Sequence, residues 1–432
     1  MDILFRNVTA VTMDPAQPLL GNAYLGIDKG KIVWLSDEEP KTKPARVLGG
    51  ANWVVMPGFV NAHTHLPMTL LRGYAEDMAL QPWLFDKIFP IEARMRPSDI
   101  VVGTLLGIAE AVAGGVTSMT DMYNDTVPLG EAVAASGIKA NMSRGVTCFD
   151  NTPYNEIKGV IEMRETFDRW HNYDNGRIVV DASLHAEYTS PPEVWRAVAE
   201  EAKEKGMRMH VHVSETKLEH EEGLARRGKT PTAALAEQGV FDLPATIGHG
   251  VWLTDQDMEI LAQKGATVAH CPVSNMKLGS GAARLAEMRR RGLNVALGSD
   301  GMASHNAMDM FTDMKIACLL QKATHLDPQA LAVGDCLAMA TVNGAKSQGR
   351  ERECGRLALG LDADLAVVDF NRPHLAPCFD AQNHLVYAAR ASDVVMTLVR
   401  GKVLYDHGNY PTIDIERALD DLRRVVLPHL LA

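Results

Sequence analysis

Eight short β-rich runs, spaced by helical stretches between about residues 54 and 301, restrict this chain more than any other feature. They are Val54–His65, Val116–Tyr123, Ile138–Val146, Arg177–Ala186, Met207–Glu215, Ala245–Val251, Ala266–Asn275 and Asn294–Gly301. Several open as nearly unbroken apolar sequence and finish in polar residues. A strand without a polar face must be covered on both sides, so apolar strands alternating with helices predict a parallel sheet. Eight of them predict an α/β chain closed into a (β/α)8 TIM-like barrel. The intervening segments carry helix punctuation. Ser98 is placed to cap a helix through Val101, Leu105, Ile108 and Val112 that ends at Gly114-Gly115. Ser190-Pro191-Pro192-Glu193 has capping-box spacing before Val194–Lys205, and Gly206 can end that helix.

The flanks have a different texture. Residues 2–55 alternate short β runs with turns, including Ala23–Ile27, Lys31–Leu35 and Trp53–Val55. Residues 355–410 do the same, with Asp364–Phe370, Val394–Val399 and Lys402–Tyr405. Neither flank is large enough to bury a core alone, and 432 residues exceed what one core usually supports. The expected organisation is a small β-sandwich built from residues 1–56 and 352–410, the barrel over 57–351, and a terminal helix over 411–432.

Composition narrows the partners. No apolar run approaches the roughly 20 residues that cross a bilayer. Met1–Arg6 has neither a basic n-region nor a long h-region, so no signal peptide is expected. The six cysteines are scattered with no CxxC pair, which suits reduced thiols in a cytoplasm better than a disulfide framework. A net charge of −11 repels phosphate backbones and argues against nucleic acid. The basic run Arg289-Arg290-Arg291 closes a helical stretch and reads as a solvated face.

The chemistry-bearing residues gather at strand ends. His63-Thr64-His65 closes the first barrel run, and alternate strand residues share a face, so both imidazoles can point into the barrel mouth. A lone HxH is weak evidence. However, His212 closes the fifth run, His249 the sixth and Asp300 the eighth. The C-terminal strand ends of a barrel meet around one mouth, which brings these residues together. Imidazoles with a carboxylate suit Zn²⁺ or Fe²⁺.

Pro57-Gly58-Phe59-Val60-Asn61-Ala62-His63-Thr64-His65, followed by His212, His249 and Asp300, resembles the amidohydrolase superfamily, as does Gly360–Asp369. The resemblance covers essentially the whole chain. It implies one divalent metal, zinc first and iron second, held by His63, His65, His212 and Asp300, with catalytic Glu215 and His249 beside a bound water. Binuclear relatives bridge two metals with a carbamylated lysine from the third or fourth strand. Ile178–His185 has no lysine and Lys139 opens the third run at the wrong end, leaving Glu187 as the one candidate to bridge a second ion. A bound metal brings water to a hydroxide-like state near neutral pH. Asp300 would accept its proton, His249 would orient its oxygen, and Glu215 would protonate a ring nitrogen before ammonia leaves. A cytidine-type zinc deaminase is excluded: His185-Ala186-Glu187 matches HxE, but no PCxxC follows.

Within the superfamily, residues 62–95 resemble the branch that deaminates S-adenosylhomocysteine and 5′-methylthioadenosine. Ser143-Arg144-Gly145, Ser274–Leu278 and Asp300–Ser304 extend the likeness. It implies a purine nucleoside substrate, with Glu92 on ribose hydroxyls, Trp83 or Ser304 on the nucleoside, His185 near sugar or base, and Arg144 on a substrate carboxylate. Each has a plainer reading: Trp83 as packing, Glu92 as the partner of Arg94 or Arg96, Arg144 as one half of a structural ion pair. Two departures stand out. No second arginine follows Arg144, and the fourth run ends Leu184-His185-Ala186-Glu187-Tyr188 where Pro-His-Ser-Pro-Tyr is commoner. Both favour a smaller or uncharged 5′ substituent, such as methylthioadenosine or 5′-deoxyadenosine. The competing readings are a guanine or pterin deaminase or s-triazine hydrolase with the same metal site, and a non-catalytic assembly protein. A homo-oligomer is compatible with the fold, but no residue specifies one.

Overall fold

The two β-rich flanks and the central runs sort into two separate sheets in the computed structural model, which describes residues 1–432. The strands are β1 (Ile3–Val11), β2 (Leu19–Asp28), β3 (Lys31–Ser36), β4 (Arg46–Leu48), β5 (Trp53–Pro57), β6 (Phe59–His65), β7 (Val116–Tyr123), β8 (Lys139–Val146) and β9 (Ile178–Ala186). They continue as β10 (Met209–Val213), β11 (Ala245–His249), β12 (Thr267–His270), β13 (Asn294–Leu297), β14 (Asp300–Gly301), β15 (Leu365–Asp369), β16 (Val394–Val399) and β17 (Lys402–Asp406).

The central sheet has nine strands in the order β13-β12-β11-β10-β9-β8-β7-β6-β14, all parallel. Its two ends are neighbours in sequence, separated only by Gly298 and Ser299. The run expected over Asn294–Gly301 is thus interrupted, and its last two residues pair with the first strand, Asp300 opposite Thr64 and Gly301 opposite His65. Gly298 is required at the break, because a Cβ there would lie 2.8 Å from Cβ of His63. The run Val54–His65 also divides. β5 joins the flanking sheet and β6 the central one, because the chain passes between them at Gly58, where a Cβ would sit 2.1 Å from the Thr117 side chain. Phe59 is fully buried just past this crossing, edge-on to Phe311 at 4.9 Å. Burial of such a ring stabilises the fold by roughly 2–3 kcal/mol.

The chain ends meet in one hydrogen-bonded mixed sheet of eight strands: β17-β16-β15-β5-β1-β2-β3, with β4 beside β1. Strand β15 joins the ends by pairing antiparallel with β5. Lys139, fully buried at the start of β8, lies 2.6 Å from both Asp362 and Asp364, just ahead of β15. Its carboxylate partners also hold Lys31 and Arg400. Lys139 therefore ties the two sheets together, far from any metal chemistry.

Helix caps differ in detail from expectation. The first-turn acid Asp99, not Ser98, caps Pro97–Ala113, accepting from Arg96 N at 2.9 Å, because Pro97 occupies the first helical position. Ser190 instead accepts from Trp195 Nε1, and its helix starts at Pro192 and ends at Gly206, which has φ of 69°. The end of the run Ala266–Asn275 is helical from Pro272. The C-terminal residues Ile415–Leu430 form consecutive helical segments. Arg289, Arg290 and Arg291 are paired with Asp335, Glu287 and Asp255. All six cysteines are unpaired, and no helix is long and apolar enough to cross a membrane.

Candidate active site

Three histidines meet at the ends of β6 and β10 because each ring is held from behind. His212 Nδ1 donates to the His185 carbonyl at 2.7 Å, and His65 Nδ1 donates to the Met122 carbonyl. His63 Nδ1 lies 2.9 Å from His210 Nε2. A neutral ring with its proton at Nδ1 presents Nε2 as a lone pair, the form in which imidazole ligates a metal. Those Nε2 atoms face one another, His63 to His212 at 3.1 Å and His65 to His212 at 3.3 Å. Burial, reinforced by neighbouring imidazoles, lowers the pKa of His63 and His212 well below the usual value and keeps both neutral.

Asp300 closes the cluster, its Oδ1 3.2 Å from His65 Nε2 and 3.6 Å from His63 Nε2. Its Oδ2 accepts from Ser274 Oγ at 2.6 Å and Ser304 Oγ at 3.0 Å. Burial alone would raise this carboxyl, but the His65 hydrogen bond and the surrounding imidazoles hold it well below the ordinary range. Ser214, His249 and Asp300 all have left-handed backbone, with φ of 51°, 69° and 63°. Such strain on non-glycine residues concentrates where side chains must be aimed. With no cation among them, His65 holds a proton towards Asp300. Burial lowers its pKa, but the Asp300 hydrogen bond and charge raise it to about 9. A metal ion would take that proton's place between the ring nitrogens and the carboxylate. The donor set therefore fits one divalent metal, with His63, His65, His212 and Asp300 able to hold it and His249 within the same cluster.

Beside the cluster opens a cavity of about 350 Å³, within the range of small-molecule sites. Glu215 reaches into it past β10, its Oε2 3.5 Å from His249 Nε2 and its Oε1 buried without a partner. Burial, then the carboxylates of Asp300 and Glu219, push Glu215 well above the ordinary range, which favours its protonated form. Glu92 also lines the cavity with an unpartnered buried Oε1, and burial lifts it to about 7 against the pull of the Tyr123 hydroxyl. Trp83 Nε1 and His185 Nδ1 are likewise buried, unpartnered and in the cavity wall.

Two expected substrate contacts are otherwise engaged. Ser304 does not line the cavity; its hydroxyl serves Asp300 Oδ2. Arg144 does line it, but its Nε donates to Glu162 Oε2 at 2.6 Å. Glu187 is unavailable to a second ion, because Arg226 Nη2 lies 2.6 Å from one oxygen and Arg227 Nε bonds the other. The supporting residues Glu219, Ser274 and Asn275 were missed in role. Glu219 accepts from Ser214 N at 2.8 Å and Glu215 N at 2.7 Å, pinning the loop that aims Glu215. Its signal was present as Thr216-x-x-Glu219, capping-box spacing directly after a ligand strand. Asn275 Nδ2 lies 2.9 Å from His249 Nδ1 and orients that ring.

Known proteins resemble this chain over nearly its whole length. The model of the amidohydrolase family matches residues 54–404. A 5-methylthioadenosine/S-adenosylhomocysteine deaminase of Acetivibrio thermocellus is 38% identical over 428 residues, covering 98% of this chain and 99% of that protein. A 5′-deoxyadenosine deaminase of Methanosarcina acetivorans is 41% identical over 425 residues, covering 98% and 97%. The crystal structure of an adenosine deaminase from Xanthomonas campestris with bound zinc superposes with a TM-score of 0.93 at 30% identity, covering 100% and 99%. With the family's pattern running through both sheets and relatives alike over nearly its whole length, this chain belongs to the amidohydrolase family.

Proposed function

We propose that this chain is a metal-dependent aminohydrolase that replaces the 6-amino group of an adenosine derivative by oxygen, yielding the inosine analogue and ammonia. The observation that carries this reading is the set of four unpartnered buried polar atoms around one cavity: Glu215 Oε1, Glu92 Oε1, Trp83 Nε1 and His185 Nδ1. A buried polar atom left unpaired costs about 1–3 kcal/mol, which a ligand bearing complementary groups recovers. A purine nucleoside offers ring nitrogens at one end and ribose hydroxyls at the other. The relatives named above, deaminases of methylthioadenosine, S-adenosylhomocysteine and 5′-deoxyadenosine, support that substrate class.

One divalent cation, zinc first and iron second, would be held by His63, His65, His212 and Asp300, and it would supply Lewis-acid activation of water. Protonated Glu215 donates to the ring nitrogen beside the amino-bearing carbon, which makes that carbon electrophilic. Ionised Asp300 accepts a proton from the adding water, and His249 fixes the direction of its approach. Asp300 returns its proton to the amino nitrogen, the C–N bond breaks to release ammonia, and the remaining hydroxyl proton passes to the Glu215 carboxylate as the carbonyl forms. Glu92, ionised when it accepts ribose hydroxyls, together with Trp83 and His185 holds the nucleoside against the cluster.

The architecture is read as an eight-stranded barrel in which β13 and β14 are halves of the last strand, spanning 57–351. The flanks 1–56 and 352–410 form the small domain, and 411–432 the terminal helical segment. Six free thiols suit a cytoplasmic setting.

Ammonia release from the zinc-loaded protein tests the reading, with methylthioadenosine, S-adenosylhomocysteine, 5′-deoxyadenosine, adenosine, guanine and an s-triazine as substrates. Turnover of the adenosine compounds is expected. Turnover of guanine or the triazine alone would overturn the substrate assignment.

A further inference from the structure

The cavity runs from the metal-ligand cluster, on the β6, β10, β11 and β14 side, towards the ends of β7, β8 and β9. Since the amino-bearing ring must lie against Glu215, the 5′ end of the nucleoside points to the opposite wall, where Arg144 closes β8. Arg144 is the only arginine lining the cavity, and a substrate carboxylate would seek it first. It is not free. Its Nε donates to Glu162 Oε2 at 2.6 Å and its Nη1 to the Gly145 carbonyl, and both side chains of the ion pair are only 11% exposed. Glu162 is itself anchored, because Oε1 accepts from Thr126 N at 2.6 Å. The other charged groups at this end, Asp125 and Lys158 on the cavity wall, add one charge of each sign.

We infer that Glu162 is the residue that sets 5′-substituent specificity: by neutralising Arg144 from behind, it makes the far end of the cavity a site for an uncharged substituent and disfavours an amino-acid tail. The inference rests on the deaminase reading above. Glu162 acts through Arg144 and touches no substrate, so it is a positioning residue. Electrostatic complementarity at such a position governs choice among substrates more than total affinity.

The test compares kcat/KM for methylthioadenosine and S-adenosylhomocysteine in the zinc-loaded wild type, in Glu162→Gln and in the double variant Arg144→Gln/Glu162→Gln. The wild type is expected to favour methylthioadenosine by roughly tenfold or more. Glu162→Gln keeps an acceptor for Thr126 N but turns an amide towards Arg144, releasing the guanidinium into the cavity. The relative efficiency on S-adenosylhomocysteine should then rise roughly tenfold, mainly through KM. The double variant removes the pair as a unit and should restore the wild-type ratio. A wild type that prefers S-adenosylhomocysteine, or a Glu162→Gln ratio that does not move, would overturn the inference. So would a double variant that loses S-adenosylhomocysteine selectively, since Arg144 would then be reading the carboxylate in the native enzyme. Failure of the deaminase reading is a separate result: no ammonia from any adenosine compound with any of the three proteins.

Discussion

Glu215 and Asp300 place two carboxyl groups in one buried site whose surroundings push them in opposite directions. Glu215 has an unpartnered oxygen and two acidic neighbours, so it stays protonated; Asp300 has imidazoles on one oxygen and two hydroxyls on the other, so it stays ionised. Opposed environments of this kind divide acid and base roles between chemically similar residues. Glu215→Gln and Asp300→Asn should each keep a native circular dichroism spectrum and lose at least ~10²-fold in kcat; either variant turning over normally would discard its assigned role. Glu92 gives a second, independent expectation. Its carboxyl rises from 4.5 when unfolded to about 7 in the fold, so its stability contribution is complete below the lower value and lost as pH rises through the upper one. Glu92→Gln escapes that loss, so its melting temperature relative to wild type should climb between about pH 5 and pH 8. A pH-independent difference would show that Glu92 is not buried in the manner described. The convergence of His63, His65, His212 and Asp300 was legible in the sequence because they sit at strand ends, where a two-residue period and barrel closure fix their direction. An ion pair at Arg144 was among the sequence readings, but its partner Glu162 and the hold of Ser304 on Asp300 were not legible, since those pairs depend on how helices lie over the barrel.

At the scale of elements, the helix Lys217–Arg227 connects catalysis to packing. Its first turn receives the backbone of Ser214 and Glu215 on Glu219, and its last turn sends Arg226 and Arg227 to the fully buried Glu187 beyond β9. Glu187→Ala removes the buried carboxylate and leaves the partly exposed Arg226 and Arg227 without their shared acceptor, so it should lower unfolding free energy by about 1–3 kcal/mol in urea titration. The metal stoichiometry of that variant should equal that of wild type, and a drop by one ion would restore Glu187 as a metal ligand. Elements were the most legible level: β7 and β16 fall on the expected residues, and the others shift by a few residues. The errors have a common cause. Val54–His65 and Asn294–Gly301 each read as one apolar run, and each is broken at a glycine whose missing Cβ makes room for Thr117 or His63. Hydrophobic pattern reports burial and not which sheet buries a residue.

Across the whole molecule, two ties hold distant parts of the chain together. Lys139 joins β8 to the carboxylates ahead of β15, and the metal-ligand cluster draws together β6, β10 and β14. Lys139→Met would leave buried Asp364 with the Arg400 backbone N–H alone, although Asp362 keeps Lys31 and Arg400, and should cost about 3 kcal/mol, read as a lower urea midpoint. Chelation should remove activity together with stability, roughly 4 kcal/mol where free metal had been a thousandfold above Kd, and zinc should restore both; full stability without metal would argue against the ligand set. Both ties close long stretches of chain, and so does the flanking sheet, where β5 ends at Pro57 and its partner β15 starts at Leu365. Ribosomes add about 5–20 residues per second, so some 300 intervening residues take roughly 15–60 s to emerge. Throughout that interval one edge of Trp53–Pro57 stands open as an unpaired, apolar template for other nascent chains. The newborn protein thus has a period of vulnerability written into its connectivity, and chains halted before Leu365 should be its aggregation-prone products.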